Sequence, residues 1–171
     1  VDAELLAELK NKKLDEKTVY KLNFKAFYKD IQVKHCGWNN QKIKRLYNKN
    51  ITKYNSNDVH EDIITDSLKI EELKGNVEHY SYHTISEFII KADRYSTLFA
   101  SNNAGKKYSS PVKAFFNGIY SFFRTYILKQ GFRDGYVGLV IAFSHMVTNF
   151  YKYIKLYEKN LELKNRYNDK K

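Results

Sequence analysis

Two positions near the middle of the sequence have side chains suited to acid–base or metal chemistry. Glu61 directly follows Val59-His60 at the end of a predicted strand, where a carboxylate can face a cleft and take a proton from a hydroxyl group. The alternative is that Glu61 is a solvated acid in the loop from Asp58 to Asp62. His79 could contact a metal ion or a diphosphate, or it could be a half-buried histidine before the next helix. The residues alone leave these alternatives open.

Three other residues have side chains suited to binding a sugar or a phosphate. Trp38 follows a glycine and could stack on a sugar ring, although a tryptophan after a turn can equally belong to the core. Arg94 and Tyr95 lie on a predicted helix. There Arg94 could reach a phosphate group, or it could pair with Asp93 or Glu87.

The elements that must position these residues change in type along the chain. Leucines at helical spacing predict a short helix over residues 2–12. Runs of β-branched and aromatic residues predict strands over 19–27, 43–47, 51–54 and 68–73. In the second half, caps at Thr84 and Ser110-Pro111 predict two long helices, which end near 102–105 and at Gly131. A third helix is predicted over 136–156.

These elements predict an α/β protein of two parts. Residues 1–83 contain the few strands, which are typical of the mixed or edge strands of a larger sheet. Residues 84–171 form a helical, basic and aromatic region of two or three long amphipathic helices. The single cysteine cannot form an internal disulfide, which favours a reducing compartment such as the cytosol.

Charge and aromatic content point to an anionic partner. The chain carries a formal charge of +11, which attracts nucleic acid, anionic lipid or phosphorylated glycans. The 15 tyrosines and 11 phenylalanines favour a membrane surface among these, since amphipathic rings partition to the headgroup level. The alternative is an internal helix with its basic face in water. The residues predicted to face the membrane are Phe115, Phe116, Phe122, Phe123 and Arg124.

Four short motifs occur in an order that resembles bacterial glycosyltransferases of family 2. They are Val59-His60-Glu61, His79-Tyr80-Ser81-Tyr82, Arg94-Tyr95-Ser96-Thr97 and Gly131-Phe132-Arg133-Asp134-Gly135. The likeness covers most of the chain from Trp38 to about residue 157. It is strongest to the subgroup that adds glucose or a related hexose to the inner core of lipopolysaccharide. After Trp38 the family often has a Tyr-Pro-Asp-like stretch, which is absent here.

The resemblance implies the C-terminal, acceptor-side part of a GT-A type fold and an inverting transfer from a UDP-sugar donor to a glycolipid. It implies that Glu61 is the catalytic base, that His79 supports a divalent metal (Mg or Mn), and that His60, Trp38, Arg94 and Tyr95 contact substrate. The main metal motif, Asp-x-Asp, does not occur in the chain. The opening residues, Val1 to Leu9, resemble the helix that follows this motif in the family. The resemblance therefore implies that the nucleotide-binding half lies directly upstream of this chain, which alone would be inactive.

The location implied is the inner face of the cytoplasmic membrane, at an anionic surface, with a homo-oligomer as a possible assembly. Two other functions fit the composition. One is a nucleic-acid-binding module, because basic charge interleaved with aromatic rings can track phosphates and stack bases. No known nucleic-acid-binding motif is visible, so nucleic acid is not the expected partner. The other is a membrane-peripheral helical protein without catalysis.

Overall fold

In a computed structural model, the chain is a mixed α/β protein with a small antiparallel sheet and a long C-terminal helix. The structure describes residues 1–39, 41–55 and 62–168. The chain divides into a sheet unit, Val1–Phe27 with Trp38–Ser81, and a helical unit, Tyr28–Gly37 with Tyr82–Lys171. The elements are α1 (Ala3–Asn11), β1 (Thr18–Tyr28), β2 (Ile31–Val33), β3 (Gln41–Leu46), β4 (Lys69–Tyr82), α2 (Ile85–Asn103), α3 (Pro111–Phe123), a π-helical turn (Arg124–Leu128), a 3-10 turn (Gly131–Asp134) and α4 (Gly135–Asn168).

The sheet unit is built around the long strand β1. Strand β1 pairs with β3 in antiparallel register, with Tyr20 opposite Leu46 and Phe24 opposite Gln41. It also pairs with β2 and β4. Helix α1 begins at Asp2, whose carboxylate accepts a hydrogen bond from the Leu5 backbone N–H at 3.0 Å. Leu5 then packs with Tyr20 and a leucine of β4 in the core of this unit.

The strand predicted over 51–54 is not formed, and the reason is the local chemistry of Asn48. The Asn48 carbonyl accepts hydrogen bonds from the backbone N–H groups of Ile51 and Thr52, and its side-chain oxygen accepts one from Asn50 N–H. These bonds hold the backbone in a turn and remove the donors that a strand would need. Within 51–54, only Tyr54 forms an isolated β-bridge, with Ile63.

The strand predicted over 19–27 is confirmed as part of β1, which ends at Tyr28 before Lys29 adopts a left-handed φ of 51° and turns the chain. Another strand prediction was wrong in its end. The strand predicted over 68–73 continues to Tyr82 as β4. Gly75 was expected to end that strand. Instead, β4 continues through Gly75, which adopts a left-handed φ of 76° within the strand.

The predicted starts of both long helices are confirmed. The Thr84 hydroxyl accepts a hydrogen bond from Glu87 N–H at 3.3 Å, and the Ser110 hydroxyl accepts one from Lys113 N–H at 3.2 Å. Pro111 is the first residue of α3. The predicted end of α2 near 102–105 is also confirmed, since α2 ends at Asn103. The ends of the other two helices differ from the prediction. Helix α3 gives way to the π-helical turn after Phe123 and does not run on as α-helix to Gly131, and α4 continues past the predicted end at 156.

Helices α2 and α3 both pack on α4, and small residues form the contacts. Ala100 of α2, Ala114 of α3 and Ala142 of α4 are fully buried. At Gly118 of α3, an added Cβ would lie 3.2 Å from the carbonyl oxygen of Met146, so the two backbones approach closely. Helix α3 therefore turns its small residues toward α4.

Candidate functional site

The proposed base, Glu61, and its neighbour His60 lie outside the described residues, but the residues on either side of this segment are joined in the sheet unit. Asn55 N–H donates to the Asp62 carbonyl at 2.9 Å, next to the bridge between Tyr54 and Ile63. Asp62 also forms an ion pair of 2.6 Å with Lys44 of β3. The hydrogen bond from Lys44 is the main cause that lowers the pKa of Asp62. These contacts join Asn55 to Asp62 and hold Asp62 at β3.

His79, the predicted metal ligand, lies exposed on β4. Its ring meets the Phe24 ring edge to face at 5.9 Å, and its Nδ1 lies 3.2 Å from the Ser81 hydroxyl. Within residues 1–39, 41–55 and 62–168, no three His, Cys, Asp or Glu side chains come together as a metal site. The metal role of His79 therefore stays a prediction from the resemblance, and no chemical step is derived through a metal.

The other predicted substrate-binding residues belong to different units. Trp38 is half-buried in the sheet unit, and Arg94 and Tyr95 are exposed on α2 in the helical unit. Asp93, which the sequence suggested as an ion-pair partner of Arg94, instead pairs with Lys155, whose ammonium lies 2.6 Å from the Asp93 carboxylate. The structure thus leaves Arg94 at the surface of α2.

A side-chain cluster that the sequence had not revealed joins the segment before Gly37 to the turn before α4. The Asp134 carboxylate accepts hydrogen bonds from the backbone N–H groups of Lys34 at 3.2 Å and His35 at 2.8 Å. Its Oδ1 also lies 2.7 Å from Nδ1 of His35. Asp134 belongs to the Gly-Phe-Arg-Asp-Gly motif, so the motif anchors the segment of Lys34 and His35 within the helical unit. The signal was hard to find in sequence because the partners are about a hundred positions apart.

The same junction packs backbone against backbone. A Cβ added at Gly138 would overlap the carbonyl oxygen of Gly131, and one added at Gly131 would lie 2.9 Å from Cys36 Sγ. Cys36 is fully buried, adopts a left-handed φ of 60° and donates its N–H to the Lys129 carbonyl at 3.1 Å. Burial, followed by the negative charge of Asp134, raises the pKa of the Cys36 thiol to about 12. Cys36 is therefore a packed, protonated thiol.

Helix α3 exposes large apolar residues on the side away from α4. At 100° per residue, Ala114, Gly118 and Ser121 lie on one side, and Phe116 and Phe123 lie on the opposite one. The exposed fractions of Phe116 and Phe123 are 63% and 48%. Of the five residues predicted to face a membrane, Phe122 is instead half-buried, with its ring 5.2 Å from that of Phe143. The other four are exposed, namely Phe115, Phe116, Phe123 and Arg124.

Polar side chains at the contact between α3 and α4 surround His145. Its Nδ1 lies 2.9 Å from the hydroxyl of Thr125, which is buried in the π-helical turn. Burial of the ring lowers the pKa of His145 from 6.5 to about 4. The positive charges of Lys129 and Lys152 lower it in the same direction by a smaller amount. The imidazole is therefore neutral in the folded protein at pH 7.

This depressed pKa predicts that acid weakens the helical unit. Between pH 6.5 and about 4, the unfolded chain binds a proton at position 145 that the folded protein does not bind. The contribution of His145 to the free energy of unfolding is complete above pH 6.5 and falls by on the order of 3 kcal/mol as the pH drops to about 4. Urea unfolding at pH 7.5, 5.5 and 4.5, followed by helical circular dichroism, measures this loss. A His145→Gln variant should lose less stability over the same range, and an identical pH dependence in both proteins would contradict the assignment.

In the part of the chain that the structure describes, no helix has the length and apolar character needed to cross a bilayer. No protein-family model matches this chain, and no solved structure matches it.

Proposed function

We propose that this chain is the acceptor-side, membrane-facing part of an inverting family 2 glycosyltransferase with a GT-A type fold. The intact enzyme would transfer a hexose, glucose by the resemblance, from a UDP-sugar to a glycolipid acceptor of the lipopolysaccharide-core type. It would lie on the inner face of the cytoplasmic membrane as a peripheral protein. Donor and divalent metal would be held mainly by carboxylates outside these 171 residues, which contain no Asp-x-Asp sequence.

The observation that carries this proposal is the apolar face of α3 that points away from the protein. In a water-soluble protein, the apolar side of a surface helix normally faces the core. Helix α3 has the reverse arrangement, with Ala114 and Gly118 inside and Phe116, Ile119 and Phe123 outside. Such a face loses its contact with water when it enters the boundary between lipid headgroups and acyl chains. A glycolipid acceptor would be met at that boundary.

The charges around this face favour an anionic membrane. Seven cations and no acidic residue occur between Arg94 and Arg133, so nothing in this stretch repels anionic headgroups. By helical spacing, Lys113 and Arg124 lie on the same border of the apolar face, about three turns apart along the helix. Long cationic side chains at such a border can bind phosphate while their stems remain in the apolar region.

The proposed chemistry places Glu61 as the base. The acceptor hydroxyl oxygen forms a bond to C1 of the sugar as the bond from C1 to the diphosphate oxygen breaks. The hydroxyl proton passes to the Glu61 carboxylate, and the nucleoside diphosphate leaves with the electron pair. The assignment rests on the motif resemblance. It is supported by the contacts of Asp62 with Lys44 and Asn55, which hold the adjoining backbone at β3.

Removing two outward rings is expected to release the protein from membranes. Replacing Phe116 and Phe123 together by serine leaves the contacts between α3 and α4 unchanged, since both rings are exposed. The double variant should bind vesicles rich in phosphatidylglycerol roughly thirtyfold more weakly, because two partly inserted rings no longer leave water. Flotation of the purified 171-residue chain with these vesicles measures the bound fraction.

The matched control replaces Ile51 and Ile70, which are exposed to a similar degree on the sheet unit, by serine. This control should float like the unchanged protein. Two outcomes would overturn the membrane assignment: the unchanged protein stays at the bottom of the gradient, or both double variants float equally well. Tight, steeply salt-dependent binding of single-stranded DNA without flotation would favour the nucleic-acid-binding alternative.

A further inference from the structure

An open apolar groove lies between α2 and α4 in the helical unit. Its volume is about 280 Å³. Phe88 and Ala92 of α2 are almost fully buried, whereas Ile89 of α2 and Phe143 of α4 are largely exposed. The buried residues form the floor of the groove and the exposed ones form its walls. Six of its nine lining residues are Ile85, Phe88, Ile89, Ala92, Leu139 and Phe143.

The groove offers almost no hydrogen-bonding groups to a ligand. Its single polar lining residue is Ser144, whose hydroxyl donates to the Val140 carbonyl of the same helix at 2.8 Å. The Ser144 carbonyl accepts a hydrogen bond from the Thr148 hydroxyl at 2.6 Å. A peptide in extended conformation or a sugar would lose hydrogen bonds to water here without replacement. A hydrocarbon chain loses none.

Aromatic contacts connect the groove to the rest of the apolar surface. The Phe143 ring, in the groove wall, meets the Phe122 ring of α3 at 5.2 Å. Phe122 in turn stacks on Tyr126 at 5.4 Å, and Tyr126 meets Phe132 at 6.3 Å. By helical spacing, Phe122 lies on the flank of α3 that continues into its outward apolar face, next to Ile119. A membrane that touches that face therefore also reaches the mouth of the groove.

We infer that the groove between α2 and α4 binds one acyl chain of an anionic phospholipid from the bilayer. The lining accepts a hydrocarbon chain, the mouth is continuous with the face that contacts the membrane, and the cation-rich stretch from Arg94 to Arg133 attracts an anionic headgroup. The bound chain would hold the protein at the surface in one orientation. This inference rests on the membrane contact proposed above and does not depend on sugar transfer.

Photolabelling tests the inference. The 171-residue chain is bound to vesicles containing phosphatidylglycerol with a diazirine on one acyl chain, irradiated and digested, and the labelled peptides are identified by mass spectrometry. Labels are expected in residues 85–92 and 139–147, in addition to the outward face of α3. Zwitterionic vesicles that carry the same diazirine chain on phosphatidylcholine should label both regions less.

Two variants of α2 with almost equal exposure separate the groove from the general surface. Ile89, which is 65% exposed, lines the groove, and Ile90, which is 66% exposed, does not. Ile89→Glu should lower labelling of 85–92 and 139–147 roughly tenfold, because a carboxylate beside a buried hydrocarbon chain is unfavourable. Ile90→Glu should leave groove labelling close to that of the unchanged protein. Both positions are at the surface, so neither change threatens folding.

The outcomes distinguish failure of the groove from failure of the membrane contact. Labels found only on α3, or equal groove labelling in the Ile89→Glu and Ile90→Glu variants, would overturn the acyl-chain site while the membrane contact stands. A protein that neither floats nor takes up any label would overturn the proposed membrane contact, and the acyl-chain site with it.

Discussion

Replacing Glu61 by glutamine is expected to reduce sugar transfer by roughly a thousandfold, because the amide cannot accept the proton of the acceptor hydroxyl. The substitution keeps the size of the side chain and removes its charge and basicity. The assay uses the longest natural protein that contains this sequence, with UDP-glucose and a lipopolysaccharide-core acceptor, and follows labelled glucose in the glycolipid. A loss in kcat with little change in the KM for the acceptor would match the role of a base.

The matched control is Asp66→Asn, which removes an exposed carboxylate five positions further along the chain. This variant should transfer sugar at close to the unchanged rate. If Glu61→Gln is as active as Asp66→Asn, Glu61 is a solvated loop acid and the proposed base is wrong. If neither the variants nor the unchanged protein transfers sugar from any UDP-hexose while vesicle binding persists, the non-catalytic membrane-peripheral alternative is favoured.

Replacing Gly138 by alanine is expected to destabilise the helical unit by more than about 3 kcal/mol. Alanine normally stabilises a helix interior by about 1 kcal/mol relative to glycine. At Gly138 the added Cβ would overlap the carbonyl oxygen of Gly131, which is backbone and cannot rotate away. Helix α4 and the 3-10 turn would have to separate, which would disturb the buried Cys36. Urea unfolding at pH 7.5, above the range in which His145 titrates, measures the loss.

Gly118→Ala is the control for this substitution, since it makes the same chemical change inside α3. Its Cβ would lie 3.2 Å from the Met146 carbonyl oxygen and 3.3 Å from Phe150 Cβ, distances that a shift of a few tenths of an ångström relieves. Its effect should stay within about 1 kcal/mol, because the gain in helix propensity offsets the tighter packing. Equal stability of the Gly138→Ala variant and the unchanged protein would contradict the close approach between α4 and Gly131.

Helix starts were predictable because their signals are local. Thr84 and Ser110 cap helices with hydroxyl groups that bond N–H groups three residues later, so a window of four residues contains the whole interaction. The ends of α3 and α4 were less predictable. The π-helical turn after Phe123 places Thr125 against His145, a contact that neither segment reveals by its own sequence. The strand prediction failed at 51–54, where the turn hydrogen bonds of Asn48 outweighed the β-branched and aromatic pattern.

The predicted site residues show the same difference between local and long-range interactions. The rings of Phe115, Phe116 and Phe123, which were predicted to face a membrane, are exposed, and the membrane contact itself stays a prediction. The cluster of Asp134 with Lys34 and His35 was not predicted, although Asp134 was part of a motif. Its partners are contributed by a segment whose position depends on packing of the whole helical unit.

By itself, the sequence determined the mixed α/β fold class and the caps of the helices. It also determined a basic, aromatic second half, which favours an anionic surface. These properties depend on composition and on neighbours within one or two turns. Only the tertiary structure decided that α3 turns its small residues inward and its rings outward, that Gly131 and Gly138 touch, and that α2 and α4 enclose an apolar groove. A helix with apolar residues on much of its circumference can pack by either side. The choice is made by which side lets backbones approach most closely, and that is a property of two helices together.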